Sequence, residues 1–327
     1  LNIPPPTWPT KVLPLANHLA KRLTPPGLSL NSADRQFMKT RHTTILRLGL
    51  GIVLGAAGCT TPRLAQQKRV VYGERNDHEL AYEFLQPRKT NGLGVVVMVS
   101  GGWRSNPDDF KPMMGKAFLR RGYSMFAVSH LSQPKATIPE IYDDVTRAVR
   151  HIREHADEYG VDPGQLGVIG ASAGGHLSLM IATRGKETTG KPDGLVRAVA
   201  IFFPVTDVLN SGKPSKKEKD GRPSKKFRTL FGIDPDDIDA WNRVGRELSP
   251  INHVDADTPP VLIIHGDADE VVSIRQSEWY IEAAEKHGAK AKLIRKRGKG
   301  HGWATILWDM RTFAKWFDEH LEPPAAN

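Results

Sequence analysis

Eight short runs rich in Val, Ile, Leu and Phe recur between residues 69 and 295 with segments of helical period between them, and that alternation leaves few folds open to the chain. The runs are Arg69–Tyr72, Leu80–Leu85, Gly94–Val99, Ser124–Ser129, Leu166–Ile169, Ala198–Phe203, Val261–His265 and Lys290–Arg295. Between the fourth and fifth, Ile141, Val145, Ala148, Val149, Ile152 and Ala156 fall on one helical face, a stripe of core-packing type. Further helices are expected after Asp108, after Ala173, after Ile274 and over 303–320, each following a strand as right-handed crossovers require. The expected fold is α/β: a mainly parallel central sheet of about eight strands with helices on both faces. From Leu209 to about Leu248 the pattern lapses into Gly, Pro and Lys, with the near-duplicates Lys213-Pro214-Ser215-Lys216-Lys217 and Arg222-Pro223-Ser224-Lys225-Lys226. Residues 211–245 therefore read as an inserted basic surface loop and not as a second domain.

The formal charge of +10 is confined to two places. Before Thr60 there are seven basic residues against the single acid Asp34, and from Ser211 to Arg228 there are eight against two. Those stretches account for more than the whole excess, which leaves a slightly acidic body. A nucleic-acid surface needs basic residues tracking a groove or a helix face, so no nucleic-acid partner is expected. A basic loop bordering a substrate pocket could steer anionic polymers by long-range attraction; a solvated loop would do nothing of the kind.

Met38 is followed by Lys39, Arg41, His42 and Arg47, then by the apolar stretch Leu48–Ala57 and by Gly58-Cys59. That is the layout of a bacterial export leader, and the apolar stretch is shorter than the roughly 20 residues a permanent span needs. Ala56-Ala57-Gly58-Cys59 fits a lipoprotein-type cleavage box, with Cys59 as the lipidated first residue; the other reading is a plain signal peptide. Residues 1–37 then read as a disordered extension or an overlong gene start, 38–59 as the leader and 60–327 as one domain. The expected location is the periplasm or the outer membrane, with membrane contact only through the lipid anchor. Cys59 is the only cysteine, so neither a disulfide within the chain nor a cysteine nucleophile is available.

The chemistry-bearing residues sit at strand ends. Gly170-Ala171-Ser172-Ala173-Gly174 follows the run Leu166–Ile169 and precedes a helical segment, the context in which G-x-S-x-G forms a nucleophile elbow. A serine hydroxyl is a weak nucleophile and needs a base oriented by a carboxylate. In such a fold acid and base follow the serine in that order, each on a loop after a strand. His301, between Gly300 and Gly302 ahead of the last helix, is the candidate base. Asp207, Asp267 and Asp269 all follow strands; Asp267 is close enough to its strand to cap the turn and Asp207 suits a loop anchor, which leaves Asp269 as the choice. His265, the last residue of a strand, reads as a hydrogen-bonded structural histidine. Backbone donors for an oxyanion are expected from Ala173 and from Gly102 or Trp103 in Val99-Ser100-Gly101-Gly102-Trp103. No metal or organic cofactor is called for.

These residues resemble the esterase branch of the α/β-hydrolases that includes bacterial feruloyl and acetylxylan esterases and is related to prolyl oligopeptidase catalytic domains. The resemblance runs from about Val70 to Leu321. It is carried by Gly101-Gly102-Trp103, by Gly170 through His176, by Ser249-Pro250-Ile251 and by His265-Gly266-Asp267-Ala268-Asp269. It implies the α/β-hydrolase fold, Asp269 as the acid, and a carboxylic ester substrate, small or polysaccharide, with acetylated or feruloylated carbohydrate foremost. One departure is that Val99-Ser100 stands where the family usually has His-Gly ahead of the second glycine. Two other functions stay in view: a serine peptidase of the prolyl oligopeptidase type, and a binding protein that has lost activity.

Overall fold

The computed structural model describes residues 64–189, 194–211 and 222–323. The leader 38–59 with Cys59, the extension before it and residues 212–221 of the basic loop lie outside the described residues.

Eight strands form one sheet: β1 (Leu64–Arg75), β2 (His78–Pro87), β3 (Gly94–Met98), β4 (Ser124–Val128), β5 (Leu166–Ala171), β6 (Ala198–Phe202), β7 (Val261–Gly266) and β8 (Ala291–Lys296). Their order across the sheet is β1-β2-β4-β3-β5-β6-β7-β8. β1 and β2 form an antiparallel hairpin, β2 pairs antiparallel with β4, and every other pairing is parallel. The hairpin turns on Asn76 and Asp77, both at positive φ (52° and 58°), the requirement of a two-residue turn that matches strand twist. β3, β4 and β6 are buried along their whole length, as parallel strands covered on both faces must be, and this is why they read as continuous apolar runs.

The helices are α1 (Lys116–Leu119), α2 (Ile138–Glu154), α3 (Ala173–Thr189), α4 (Lys225–Arg228), α5 (Ile238–Glu247), α6 (Arg275–His287) and α7 (Ile306–Asp318). α2 starts at a capping box: Glu140 N donates to Thr137 Oγ1 while Thr137 N donates to Glu140 Oε2, and Pro139 occupies the first turn. Its stripe of Ile141, Val145, Ala148, Val149 and Ile152 is wholly buried. α2, α3 and α6 contribute to the core on one face of the sheet, and α1 and α7 to the core on the other. Asp144 of α2, buried, accepts from Arg75 Nε (2.7 Å) and Arg147 Nη2 (2.8 Å), tying the end of β1 to the helix.

Two expectations need correction. The helix expected after Asp108 is only a 3-10 turn at Pro107–Asp109 and the four residues of α1, because Pro112 removes a backbone donor and restricts Lys111 before it. The stretch 211–245 is not a loop throughout: from Arg222 it carries α4, a 3-10 turn at Thr229–Phe231 and α5. Phe231 and Trp241 are buried, and so is Arg228, whose guanidinium donates to the carbonyls of Pro223 and Pro235. Backbone acceptors satisfy that cation inside the segment, so it is not a solvated charge.

Candidate active site

Ser172 follows β5 at φ +54°, a strained conformation for a residue with a Cβ. It is held there by the Ser172 N–H to Phe202 O bond (3.0 Å) and by the start of α3 directly after it. The flanking glycines are sterically required. A Cβ on Gly170 would collide with Gly174 O, and one on Gly174 would lie 2.5 Å from Met98 O. The turn lifts the hydroxyl above the sheet's C-terminal edge, where Ser172 Oγ is 3.0 Å from His301 Nε2.

His301 Nδ1 is 2.7 Å from Asp269 Oδ2. A carboxylate can only accept, so Nδ1 carries a proton, and in the neutral ring Nε2 is the bare nitrogen that faces the serine. Asp269 Oδ1 accepts from the N–H groups of Val271 (2.8 Å) and Val272 (3.0 Å). Burial alone would raise this carboxyl, but hydrogen bonds from His265, His301 and Val272 outweigh it and hold Asp269 well below the usual carboxylate range. Asp269 is therefore a fixed negative charge under the imidazole.

The other candidates fall elsewhere. Asp267 Oδ1 accepts from Gly298 N (2.6 Å), anchoring the loop that leads to His301, and Asp207 accepts from Asn210 N and Nδ2 in its own loop. His265 is buried; its Nε2 lies 2.9 Å from Val272 O and 3.3 Å from Asp269 Oδ2, and its Nδ1 2.7 Å from Ser277 Oγ. Val272 O only accepts, so Nε2 is protonated, and the other ring nitrogen is hydrogen-bonded to the Ser277 hydroxyl. Ser277 and Phe203 carried no sequence signal. The Phe203 ring packs on His301 with centroids 4.3 Å apart, from a backbone at φ +34°.

The loop after β3 closes as a tight turn, with Gly101 N to Arg104 O (2.9 Å) and Arg104 N to Gly101 O (3.0 Å). Both central residues are left-handed, Gly102 at φ +56° and Trp103 at φ +55°. The N–H groups of Gly102, Trp103 and Ala173 make no hydrogen bond within the described residues. Gly174 N to Ser100 O (3.1 Å) locks this turn against the elbow. Ser100, at the departure from the family pattern, has its hydroxyl 2.9 Å from the Nε2 of buried His130. Trp103 is pinned through its side chain: its Nε1–H donates to His176 Nδ1 (3.2 Å), and the ring packs edge-on against Phe227 and Phe231. With Nδ1 accepting, His176 must donate Nε2–H to Leu248 O (2.8 Å). Burial, opposed by the Leu248 bond, pushes His176 down to about 4, so it is neutral.

A mainly parallel eight-stranded sheet, with a serine on a strand-to-helix elbow met from above by a histidine and an aspartate on later loops, defines the α/β-hydrolase class. Residues 84–283 match the BD-FAE family model, and the chain belongs to this family. Esterase LipQ of Mycobacterium tuberculosis is 27% identical over 236 residues, covering 69% of this chain and 54% of that protein. A probable isoprenylcysteine alpha-carbonyl methylesterase of Arabidopsis thaliana, ICMEL1, is 24% identical over 245 residues, 72% of this chain and 50% of the other. The chain thus spans about half the length of these curated relatives. Among solved structures, a truncated carbohydrate esterase from gut microbiota superposes with a TM-score of 0.65 at 26% identity, over 80% of this chain and 99% of that one. Carboxyl esterase 2 of the fungus Tuber melanosporum shares the fold at a TM-score of 0.63 and 22% identity, over 79% and 88% of the two chains.

Proposed function

We propose that the protein is a carboxylic ester hydrolase that works through an acyl-enzyme on Ser172. The observation that carries this is the relay from Ser172 Oγ through His301 to Asp269, set beside three uncommitted backbone donors. Ser172 Oγ attacks the ester carbonyl carbon while His301 Nε2 takes its proton. The carbonyl oxygen becomes an oxyanion facing the N–H groups of Ala173 and of Gly102 or Trp103, and Asp269 balances the imidazolium. The imidazolium returns the proton to the departing alcohol oxygen, the C–O bond breaks, and Ser172 is left acylated. Water then repeats the sequence, with His301 as base, and releases the acid.

Membership of the BD-FAE family and the named esterases among its relatives favour an ester over a peptide bond. For the alcohol, a carbohydrate is the reading supported by the resemblance to a carbohydrate esterase and by a cleft of about 250 Å³ beside Asp269. That cleft is bordered by Asn210, Glu270 and Arg275, exposed side chains able to hydrogen-bond a sugar hydroxyl, with the Arg275 guanidinium over the Trp279 ring; Ser211 and Gln276, also in its lining, are buried and bonded within the protein. On its sequence, the leader ending at Cys59 would deliver the enzyme to the cell envelope as a lipoprotein.

The test is a fluorophosphonate adduct mapped by mass spectrometry, together with turnover of p-nitrophenyl esters and of acetylated xylan. The adduct is expected on Ser172, with turnover lost in Ser172→Ala. Labelling at another residue, or full activity in that variant, rejects the mechanism. Turnover of small esters without any release of acetate from xylan rejects the polymer reading alone.

A further inference from the structure

A cavity of about 270 Å³ opens on the α1 and α7 face of the sheet, and it is a different space from the cleft at Asp269. Its walls include Val97, Phe110, Ile169, Met310 and Phe313. Its lining also takes in Ser100 and Gly101 of the turn after β3, and Gly170 and Ala171, the two residues before Ser172. Successive Cα atoms are about 3.8 Å apart, so the cavity reaches to within one residue of the nucleophile.

We infer that this cavity is the acyl subsite and that it selects an unbranched aliphatic acyl chain longer than acetyl over a hydroxylated aromatic one. The inference rests on the ester-hydrolase reading above. Three substituents of the carbonyl carbon must find places. The oxyanion faces Ala173 and the turn at Gly102 and Trp103, the leaving oxygen faces His301 with the cleft beyond Asp269, and the apolar cavity next to Ala171 remains for the acyl chain. An apolar void of about 150 Å³ already takes a benzene ring, so this one exceeds the needs of a methyl group. Among its lining side chains the polar groups are Ser100 Oγ, engaged with His130 Nε2, and the Asp109 carboxylate, which is exposed. A ring hydroxyl carried inward would lose its water and find inside only Ser100 Oγ to accept from it, with the Asp109 carboxylate out at the exposed rim, whereas a methylene loses nothing.

The experiment measures kcat/KM for p-nitrophenyl acetate, butanoate and hexanoate, for methyl hexanoate against methyl ferulate, and for hexyl against ethyl acetate. Each added acyl methylene is expected to raise kcat/KM about fourfold, the equivalent of ~0.8 kcal/mol per buried CH₂. Met114→Trp and Leu307→Trp, each filling the lining from a different segment, are expected to lower the hexanoate-to-acetate ratio about tenfold or more, the loss of two or more such methylenes. A ratio cancels any loss of folded enzyme. A flat acyl series, a ratio unmoved in both variants, or faster turnover of ferulate than of hexanoate overturns the inference. So does a chain-length gain on the alcohol side that the two variants remove, which would make the cavity the leaving-group site. Absence of any turnover and of any Ser172 adduct would instead reject the ester-hydrolase reading itself.

Discussion

Replacing His176 with phenylalanine keeps a ring in α3 but removes both nitrogen contacts, leaving the Trp103 indole N–H and the Leu248 carbonyl buried without partners. Each unsatisfied group costs about 1–3 kcal/mol, so the stability loss in urea unfolding should be about 4 kcal/mol. The functional loss should be larger than that number suggests. Trp103 sits at φ +55°, where a residue with a side chain is disfavoured by about 1–2 kcal/mol, and the His176 bond is one of the contacts that hold it there. Released, the turn relaxes and its donors leave the oxyanion position; losing one such donor reduces kcat by about 10²–10³ with little change in KM. A second readout separates this histidine from generic packing. In the unfolded chain it takes a proton below 6.5, and in the folded protein only below about 4. The unfolded state therefore binds more protons between those values, and stability falls as pH drops through the interval, by about 3 kcal/mol in all. That component should vanish in His176→Phe, while His176→Gln, which has both an acceptor and a donor, should recover part of kcat. A destabilised His176→Phe enzyme with native kcat would refute the claim that this bond holds the turn for catalysis.

Asp269→Asn should leave the fold intact and lower kcat by about 10⁴ through loss of the correct His301 tautomer, read by steady-state kinetics beside Asp207→Asn and Asp267→Asn, which should lose far less. Asp144→Ala should cost about 3 kcal/mol in urea unfolding, the lower end for breaking a buried pair because Arg75 and Arg147 remain partly exposed. Cys59→Ala should move the enzyme from the membrane to the soluble fraction; equal release of both forms would indicate an ordinary signal peptide.

Strands β3 to β7 were legible because they are buried at nearly every position and so appear as apolar runs, and the ends of β2 to β8 moved by only a residue or two. β1 is the exception: it extends from Leu64 to Arg75, well beyond Arg69–Tyr72, because an edge strand with one solvated face alternates polar residues such as Gln66 and Lys68. The loss of a long helix after Asp108 was foreshadowed by Pro112 and Gly115, which outrank propensity. In the site, Ser172 and His301 announce themselves through flanking glycines, and Asp269 through its place after β7. The contacts that orient them do not. Ser277 against His265, Phe203 against His301 and His176 against Trp103 join residues 12, 98 and 73 positions apart in sequence, and only the folded register brings them together.

The segment read as a basic loop is where pattern and structure part most, and the physical reason bears on catalysis. Its apolar residues, among them Phe227, Leu230, Phe231, Ile233, Ile238, Trp241 and Val244, all lie behind a run of Lys, Pro and Gly, so no helical period stands out over the whole length although Ile238, Trp241 and Val244 share one helix face. Yet three of those rings form one aromatic group, Phe227 with Phe231 at 5.4 Å and Phe231 with Trp241 at 5.2 Å, and two of them meet Trp103. The same segment ends at Leu248, whose carbonyl fixes the tautomer of His176 and so supplies the acceptor for the Trp103 indole. A left-handed tryptophan is sustained only when its surroundings over-determine it. Here the inserted segment supplies the ring contacts and, through His176, the hydrogen bond, so the strained turn beside Ser172 is held in place from outside the core sheet and helices.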